Sequence, residues 1–305
     1  MKLGIKVNAD KASIDRLNET NPAHAEVWFN VNEAKSYTEL FDELKLRNMD
    51  VGLHFWGTLE GSISPNIAYP DDDLIQKSMD LMRQSIDIAA VNHFQYVNIH
   101  PGAQTKSKVN YSQERYDVIS APVDIDKSIP LFLENAKQLS SYAQEKNVVF
   151  TVETVPARIT QGWYDAQARL QPKNMYELPV SAIVQAASQG LTVANDFCHT
   201  AANVRADNPN EVWEFLLATT KTLVPKTRVI HLGFVVPPYN GTDLHDSLDN
   251  PVLDTDFAVP NKRHMIDLLE LFQNRDDIWI LVEPKSDHVE NYFLAREILQ
   301  KAEAL

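Results

Sequence analysis

The sequence predicts a (β/α)₈ barrel, in which eight parallel strands alternate with eight helices around one core. Two observations carry this prediction. Short β-branched or aromatic runs, most of them followed by a longer amphipathic stretch, recur along the whole 305-residue chain. The connections from a helix to the next strand are brief, whereas several connections from a strand to the next helix are long. The long connections therefore fall at the C-terminal end of the barrel, where this fold places active sites.

The expected strands are short runs rich in β-branched and aromatic residues. In chain order they are Leu3 to Val7, Ala25 to Phe29, Val51 to His54, Tyr96 to His100, Val148 to Glu153, Leu191 to Asp196, Arg228 to His231 and Ile278 to Glu283. The expected helices have apolar residues spaced three and four apart. They are Ser13 to Leu17 (short and weak), Tyr37 to Arg47, Asp71 to Val91, Ile129 to Lys146, Ser181 to Ser188, Asn210 to Leu223, Lys262 to Phe272 and Asn291 to Ala304.

The long connections interrupt this alternation without dividing the chain. They are Phe55 to Pro70, Pro101 to Ser128, Thr154 to Val180 and Leu232 to Asn261. Loops of this length in a compact domain usually carry function. Because no change of composition, Gly/Ser linker or repeat separates two parts, we expect one domain over residues 1–305.

Composition excludes several classes of function. The net charge of −14 argues against a broad basic surface for nucleic acid. Cys198 is the only cysteine, so an intramolecular disulfide is excluded. The first residues, MKLGIKVNAD, lack the apolar region of a signal peptide, and no apolar run is long enough to span a membrane. We therefore expect a cytoplasmic protein without membrane contact, and no protein partner is evident.

Ionisable side chains mark the C-terminal ends of the strands. Each of the six consecutive strands from the third to the eighth delivers a His, Asp or Glu to the same rim, and the loop after the seventh adds two more. The set is His54, His100, Glu153, Asp196, His199, His231, Asp243, His245 and Glu283. Singly, each has an ordinary structural explanation, such as Glu153 pairing with Arg158. Together, carboxylates at a narrow apolar mouth would repel one another unless cations held them, so we predict two or three divalent ions. Zinc is favoured, with manganese or iron as alternatives.

The motifs around these residues resemble those of a known superfamily. NDFCH at Asp196 and His199, the segment from His231 to Leu248, and HPG at His100 are similar to signatures of endonuclease IV, the second family of apurinic/apyrimidinic endonucleases, within the xylose isomerase-like TIM barrel superfamily. The resemblance implies three ions, with Glu153 bridging the first two. It assigns His54, His100 and Glu153 to the first, Glu153, Asp196, His231 and Glu283 to the second, and His199, Asp243 and His245 to the third.

The loops depart from the endonuclease pattern where DNA would be gripped. The family pattern has a tyrosine three residues after His54, whereas this chain continues from Phe55 to Gly57 without one. The lysine expected soon after His231 is also absent. The run from Thr154 to Arg158 replaces an expected Asn/Gly-rich segment. The ligand set is thus retained while the DNA-gripping loops are not, which disfavours duplex DNA and favours a small-molecule substrate.

The first hypothesis is a metal-dependent phosphoester hydrolase. Glu153 and Glu283 would position or deprotonate the attacking water. The candidates for substrate contact lie on the long loops, and they are Trp56, Arg158, Trp163 and Tyr239.

The second hypothesis is a sugar or sugar-phosphate isomerase or epimerase. Members that resemble this type hold one ion with residues matching Glu153, Asp196, His231 and Glu283. The two glutamates move a proton through an enediolate, and His199 binds a substrate hydroxyl. This alternative leaves four candidate ligands unexplained, namely His54, His100, Asp243 and His245, so hydrolysis is favoured. A third hypothesis, a metal-binding or sensor protein on a barrel that has lost its activity, is disfavoured because no ligand position is lost.

Overall fold

The computed structural model describes residues 1–157 and 176–304, and its centre is a closed barrel of parallel strands. The barrel strands are β1 (Lys2–Val7), β2 (His24–Asn30), β3 (Asp50–Trp56), β4 (Tyr96–Ile99), β7 (Val149–Glu153), β8 (Thr192–Asp196), β9 (Thr227–Leu232) and β10 (Trp279–Val282). Neighbours in this order pair in parallel, and β10 closes onto β1 with Trp279 opposite Lys2. The predicted fold class is therefore confirmed.

The helices cover the outside of the barrel. They are α1 (Lys11–Thr20), α2 (Thr38–Leu46), α3 (Asp72–Val91), α4 (Ile125–Glu145), α5 (Val180–Ser188), α6 (Phe197–Ala201), α7 (Pro209–Leu223), α8 (Lys262–Glu270) and α9 (His288–Lys301). Several begin at side-chain caps: Asp10 accepts from the Ser13 amide, and Asp71 accepts from the Leu74 amide. In the described part of the chain, the helices are all too short or too polar to cross a membrane.

The structure corrects the starts of two helices and the description of one connection. Helix α4 begins at Ile125 rather than Ile129, because Asp124 caps it by accepting from the Asp126 amide. Helix α9 begins at His288, three residues before the expected Asn291. The connection after β4 is not a plain loop, since it contains the antiparallel hairpin of β5 (Ser107–Asn110) and β6 (Arg115–Val118).

Aromatic rings fill the N-terminal floor of the barrel. His24, Tyr96 and Trp279 pack against one another with ring centroids 4.8–6.3 Å apart. Two glycines make room for them: a Cβ at Gly52 would lie 1.9 Å from the Tyr96 ring, and one at Gly4 would lie 2.1 Å from His24 Nδ1. The floor therefore depends on the absence of a side chain at these two strand positions.

Candidate metal centre

The C-terminal mouth of the barrel brings together all nine side chains that the sequence singled out, and Glu26 joins them. Four groups have ligand atoms within 4.8 Å of one another. The groups are His54, His100 and Glu153; Glu153, Asp196, His231 and Glu283; His199, Asp243 and His245; and Glu26, His54, His231 and Glu283. It remains a prediction that the first three groups hold ions.

The first group has the spacing of a tetrahedral zinc site. His54 Nε2 lies 3.3 Å from His100 Nε2 and 3.4 Å from Glu153 Oε2, and His100 Nε2 lies 3.8 Å from the same oxygen. Bonds of about 2.0–2.1 Å to one tetrahedral zinc place its ligands roughly 3.4 Å apart. Because the His100 side chain is 47% exposed, this group opens towards solvent. The three donors therefore fit an ion with an accessible coordination position.

The second group shares Glu153 with the first. His231 Nδ1 lies 3.2 Å from Glu153 Oε1, 3.5 Å from Glu283 Oε2 and 3.7 Å from Asp196 Oδ2. Glu153 thus directs one oxygen to each group, as a bridging carboxylate would. The Asn98 amide donates to Glu153 Oε2, and the Thr151 hydroxyl donates to Asn98 Oδ1 at 2.9 Å. This chain of hydrogen bonds fixes the carboxylate between the two groups.

The third group is built from two histidines that are tied to backbone carbonyls. His199 Nδ1 donates to Thr154 O and His245 Nδ1 donates to Glu283 O, each at 2.8 Å. The Nε2 atoms therefore face Asp243 Oδ2, at 3.3 Å and 2.6 Å. His199 Nε2 is buried and makes no hydrogen bond among the described residues. A buried ring nitrogen left without a donor or acceptor beside a carboxylate fits a metal ligand.

Burial and mutual attraction shift the pKa values in the mouth. Burial raises the pKa of Asp196 to about 6. Burial opposes the charge on His245, but Asp243 outweighs it and raises the pKa of His245 to about 9. His199 behaves in the same way, with its pKa raised well above the usual value by Asp196 and Asp243. In the absence of an ion, protonated imidazoles therefore balance the carboxylates, and an ion would have to displace those protons.

Lys6 and Glu26 are the residues of the mouth that the sequence analysis missed. They point inwards from β1 and β2, and Lys6 Nζ lies 2.5 Å from Glu26 Oε1 and 2.8 Å from His54 Nδ1. Lys6 also pairs with Glu283. The sequence did contain a signal for them, because each is a charged residue inside an otherwise apolar strand, in LGIKV and AEVWF. The predicted ligands were taken only from residues at or after the ends of strands.

A cleft of about 540 Å³ opens onto the ligand groups. Its far wall is aromatic: Trp56 Nε1 donates to Tyr116 Oη at 3.5 Å, and the Trp56 and Tyr111 rings meet edge to face at 6.2 Å. Glu177 lines the same wall, and burial raises its pKa to about 8. Among the described residues that line the cleft there is no lysine or arginine. Among the described lining residues, the candidates for a positive charge are therefore the imidazoles and any ion that the ligand groups would hold.

Comparison with known proteins assigns the chain to a family. Residues 23–297 match the family described as xylose isomerase-like TIM barrel. The chain belongs to this family. The match spans every candidate ligand and every barrel strand except β1. The mouth described above is therefore the mouth of a xylose isomerase-like barrel.

Relatives of two kinds are similar to this chain. Over 110 residues, it is 29% identical to a probable endonuclease 4 of Natronomonas pharaonis and 30% identical to one of Haloarcula marismortui. That segment is 36% of this chain and 38% of each of those proteins. Among solved structures, endonuclease IV from Thermus thermophilus matches with TM-score 0.57 and 14% identity over 100% of both chains. A D-tagatose 3-epimerase-like protein matches with TM-score 0.65 and 14% identity over 99% of this chain and 98% of that one. At these identities the structural matches show the shared fold alone.

The predicted substrate contacts in this xylose isomerase-like barrel have different outcomes. Trp56 lines the cleft. Tyr239 is not brought to it: the side chain is buried, and its hydroxyl donates to Phe257 O at 2.7 Å. The expectation that Tyr239 faces the substrate is therefore not supported by its position. Arg158 and Trp163 lie outside the described residues.

The remaining histidines and the cysteine lie outside the ligand groups. His24 is buried in the floor, His93 is exposed, and His264 stacks on Trp213 with centroids 3.9 Å apart. His288 lines a surface groove beside α9 rather than the mouth. Cys198 is buried, and its thiol donates to Asp243 Oδ1 at 3.7 Å.

Proposed function

We propose that this protein hydrolyses a small phosphoester with the aid of two or three divalent ions, with zinc favoured over manganese or iron and the cytoplasm as its compartment. One observation carries the proposal: three groups with metal-ligand geometry share one mouth. In a reaction that needs a single ion, His199 would bind a substrate hydroxyl, but Asp243 and His245 would have no role. The buried His199 Nε2, which faces Asp243 Oδ2 at 3.3 Å, supports an ion at that position.

The side chains of the mouth have defined roles in this proposal. Ions held there would supply positive charge for the phosphoryl oxygens and lower the pKa of the attacking water. Glu153 and Glu283 orient that water and accept its proton while its oxygen bonds to phosphorus and the leaving oxygen departs. His199 is fixed by Thr154 O and directs Nε2 towards Asp243 and the ion that this group would hold beside the reacting group. Trp56 contacts the organic part of the substrate from the opposite wall.

The dimensions and lining of the cleft favour a small substrate. A volume of about 540 Å³ suits a molecule of the size of a sugar phosphate or a nucleotide. Duplex DNA needs a series of basic contacts along its backbone, and the chain has a net charge of −14 with no lysine or arginine among the described lining residues. We therefore propose a small-molecule phosphoester and disfavour duplex DNA.

The test compares three substrates on one preparation. Protein purified without chelator and loaded with zinc or manganese is assayed on p-nitrophenyl phosphate, on bis(p-nitrophenyl) phosphate and on a synthetic duplex with one abasic site. We expect hydrolysis of at least one aryl ester, abolished by chelator and restored by metal, with weak or no nicking. Efficient nicking at low enzyme concentration would contradict the small-substrate proposal, and no hydrolysis of any ester by the loaded protein would contradict the hydrolase.

A second candidate is a sugar isomerase or epimerase that uses one ion. Two observations favour it: Glu153, Asp196, His231 and Glu283 form a group by themselves, and a cleft without lysine or arginine among its described residues suits an uncharged polyol. The assay that separates it is solvent exchange: incubation with a panel of ketohexoses in D₂O would place deuterium on the carbon next to the carbonyl. Exchange at that position together with inert phosphoesters would favour this candidate.

A further inference from the structure

The fourth ligand group differs from the other three because it already contains a cation. Lys6 Nζ contacts Glu26 Oε1 at 2.5 Å and His54 Nδ1 at 2.8 Å, and it pairs with Glu283. These are three of the four members of the group, and the ammonium is itself buried. Because like charges repel strongly in a site with little water, a divalent ion is excluded from the place that the ammonium occupies.

Glu26 contacts two of the predicted metal ligands on their far sides. Its Oε1 lies 3.3 Å from His54 Nδ1, and its oxygens lie 3.2 Å and 3.3 Å from His231 Nε2. In each ring the opposite nitrogen faces the ligand groups: His54 Nε2 faces the first group, and His231 Nδ1 faces the second. Of the two rings, only His231 is placed to donate to Glu26, because His54 Nδ1 accepts from the Lys6 ammonium at the shorter distance of 2.8 Å.

The floor of the barrel holds this carboxylate in place. The Tyr96 hydroxyl donates to Glu26 Oε2 at 2.7 Å, and His24 Nε2 donates to Tyr96 Oη at 3.0 Å. All three side chains are fully buried. With Lys6 on one oxygen and Tyr96 on the other, Glu26 is anchored independently of the histidines it contacts.

We propose that the Lys6 ammonium takes the place of a fourth ion, and that Glu26, which it anchors, is the positioning residue that fixes His231 as a metal ligand through Nδ1. A carboxylate that accepts an imidazole N–H sets the tautomer, orients the ring and makes the other nitrogen a better ligand. Loss of such a partner typically weakens metal binding by about 10- to 100-fold. The inference rests on the metal centre of the proposed function but not on its reaction.

The experiment measures zinc affinity and ring protonation, and neither measurement needs a substrate. Zinc affinity is determined by competition with a chromogenic chelator for the wild type, Glu26→Gln and the double variant Lys6→Met/Glu26→Gln. The double variant removes both charges of the Lys6–Glu26 pair, and Glu283, which loses Lys6, keeps its contact with His231. Glu33→Gln is the matched control, because Glu33 lines the same cleft but is exposed and belongs to none of the ligand groups. Thermal unfolding with chelator present identifies variants that remain folded.

We expect both Glu26 variants to bind zinc about 10- to 100-fold more weakly than the wild type, and the control to match the wild type. Long-range ¹H–¹⁵N spectra of the zinc-loaded wild type should show His231 protonated at Nε2. Folded variants with wild-type zinc affinity would overturn the inference, and so would protonation of His231 at Nδ1.

The outcomes separate this inference from the proposed function. A wild type that binds several zinc ions and hydrolyses nothing contradicts the hydrolase, while the affinities and spectra still decide the role of Glu26. A wild type that binds no zinc overturns this inference, and one that binds no manganese or iron either overturns both.

Discussion

The two ends of the barrel surround their buried histidines with different groups. At the floor, His24 makes one hydrogen bond to Tyr96 and is packed among aromatic rings, and burial lowers its pKa to about 4. At the mouth, carboxylates surround the imidazoles, and Asp243 raises the pKa of His245 to about 9 against the effect of burial. His24 is thus held neutral at the floor and His245 is charged at the mouth, although burial also lowers the pKa of His100, at the mouth, to about 4.

This difference distinguishes a buried histidine that supports the fold from buried histidines that could bind a ligand. A neutral histidine between rings stabilises the fold without requiring a ligand. The mouth gathers more carboxylates than its single lysine can balance, so the metal-free state must take up protons to offset them. The floor holds His24 among rings with its Nδ1 making no hydrogen bond to the described residues, whereas the mouth gathers the donor groups of the proposed ions. The following predictions test that contrast, from the largest expected effect to the smallest.

The largest effect is expected at the third ligand group. Asp243→Ala or His245→Ala should remove about one ion per chain and lower turnover by roughly 10²-fold or more, as expected when charge stabilisation of the transition state is lost. Metal analysis and kinetics of the folded variants measure both effects, and His93→Ala, at an exposed histidine, is the control. Under the one-ion alternative, the ion held by the second group and most of the activity would survive.

The next effect concerns packing at the floor. Gly52→Ala would place a Cβ 1.9 Å from the Tyr96 ring, so we expect it to lower the free energy of unfolding by about 3 kcal/mol, at the upper end of typical overpacking costs. Denaturant unfolding with chelator present measures this. If the clash is the cause, adding Tyr96→Leu should recover part of the loss. An unchanged midpoint for Gly52→Ala would contradict the packing of the floor.

A smaller effect is expected from the pH dependence that His24 contributes. Its pKa is about 4 in the folded state and near 6.5 when unfolded, so below pH 6.5 the unfolded chain binds the proton that the folded chain does not. The stability that the neutral His24 contributes to the fold is therefore fully present above pH 6.5 and is lost as the pH falls towards 4. Between pH 7 and 5 the wild type should lose about 2 kcal/mol more than His24→Asn. Unfolding at both pH values, with His93→Asn as control, checks this; equal losses in His24→Asn and the wild type would contradict a neutral floor.

The smallest effect is expected on the aromatic wall. Trp56→Ala should raise KM several-fold, equivalent to about 1 kcal/mol of lost contact, with little change in kcat. Tyr239→Phe is the control, because its hydroxyl bonds to Phe257 O away from the cleft. A KM that rises with Tyr239→Phe and not with Trp56→Ala would show that the substrate binds elsewhere.

The sequence predicted the part of the mouth that lies at strand ends. His54, Glu153 and His231 could be found because alternating strands and short helix-to-strand links define where each strand stops. Lys6 and Glu26 could not be found in this way, since the predicted strands do not stop at them, and which face points inwards is set only when β10 closes onto β1.

Loop side chains were harder to predict than strand ends. The position of Tyr239 was uncertain from sequence because no periodicity fixes the direction of a loop residue, and its ring packs into the loop itself. The β5–β6 hairpin, whose Tyr116 meets Trp56, was also missed, because its strands are only four residues long. Its Ser107–Asn110 and Arg115–Val118 runs are also too polar to stand out as strands.

Metal stoichiometry tests the central claim most directly. Elemental analysis of protein purified without chelator, and again after reconstitution with zinc or manganese, should give two to three ions per chain, because the ligands of the mouth exceed the needs of one site. Saturation at a single ion per chain after reconstitution would contradict the multinuclear centre and leave the one-ion isomerase in its place.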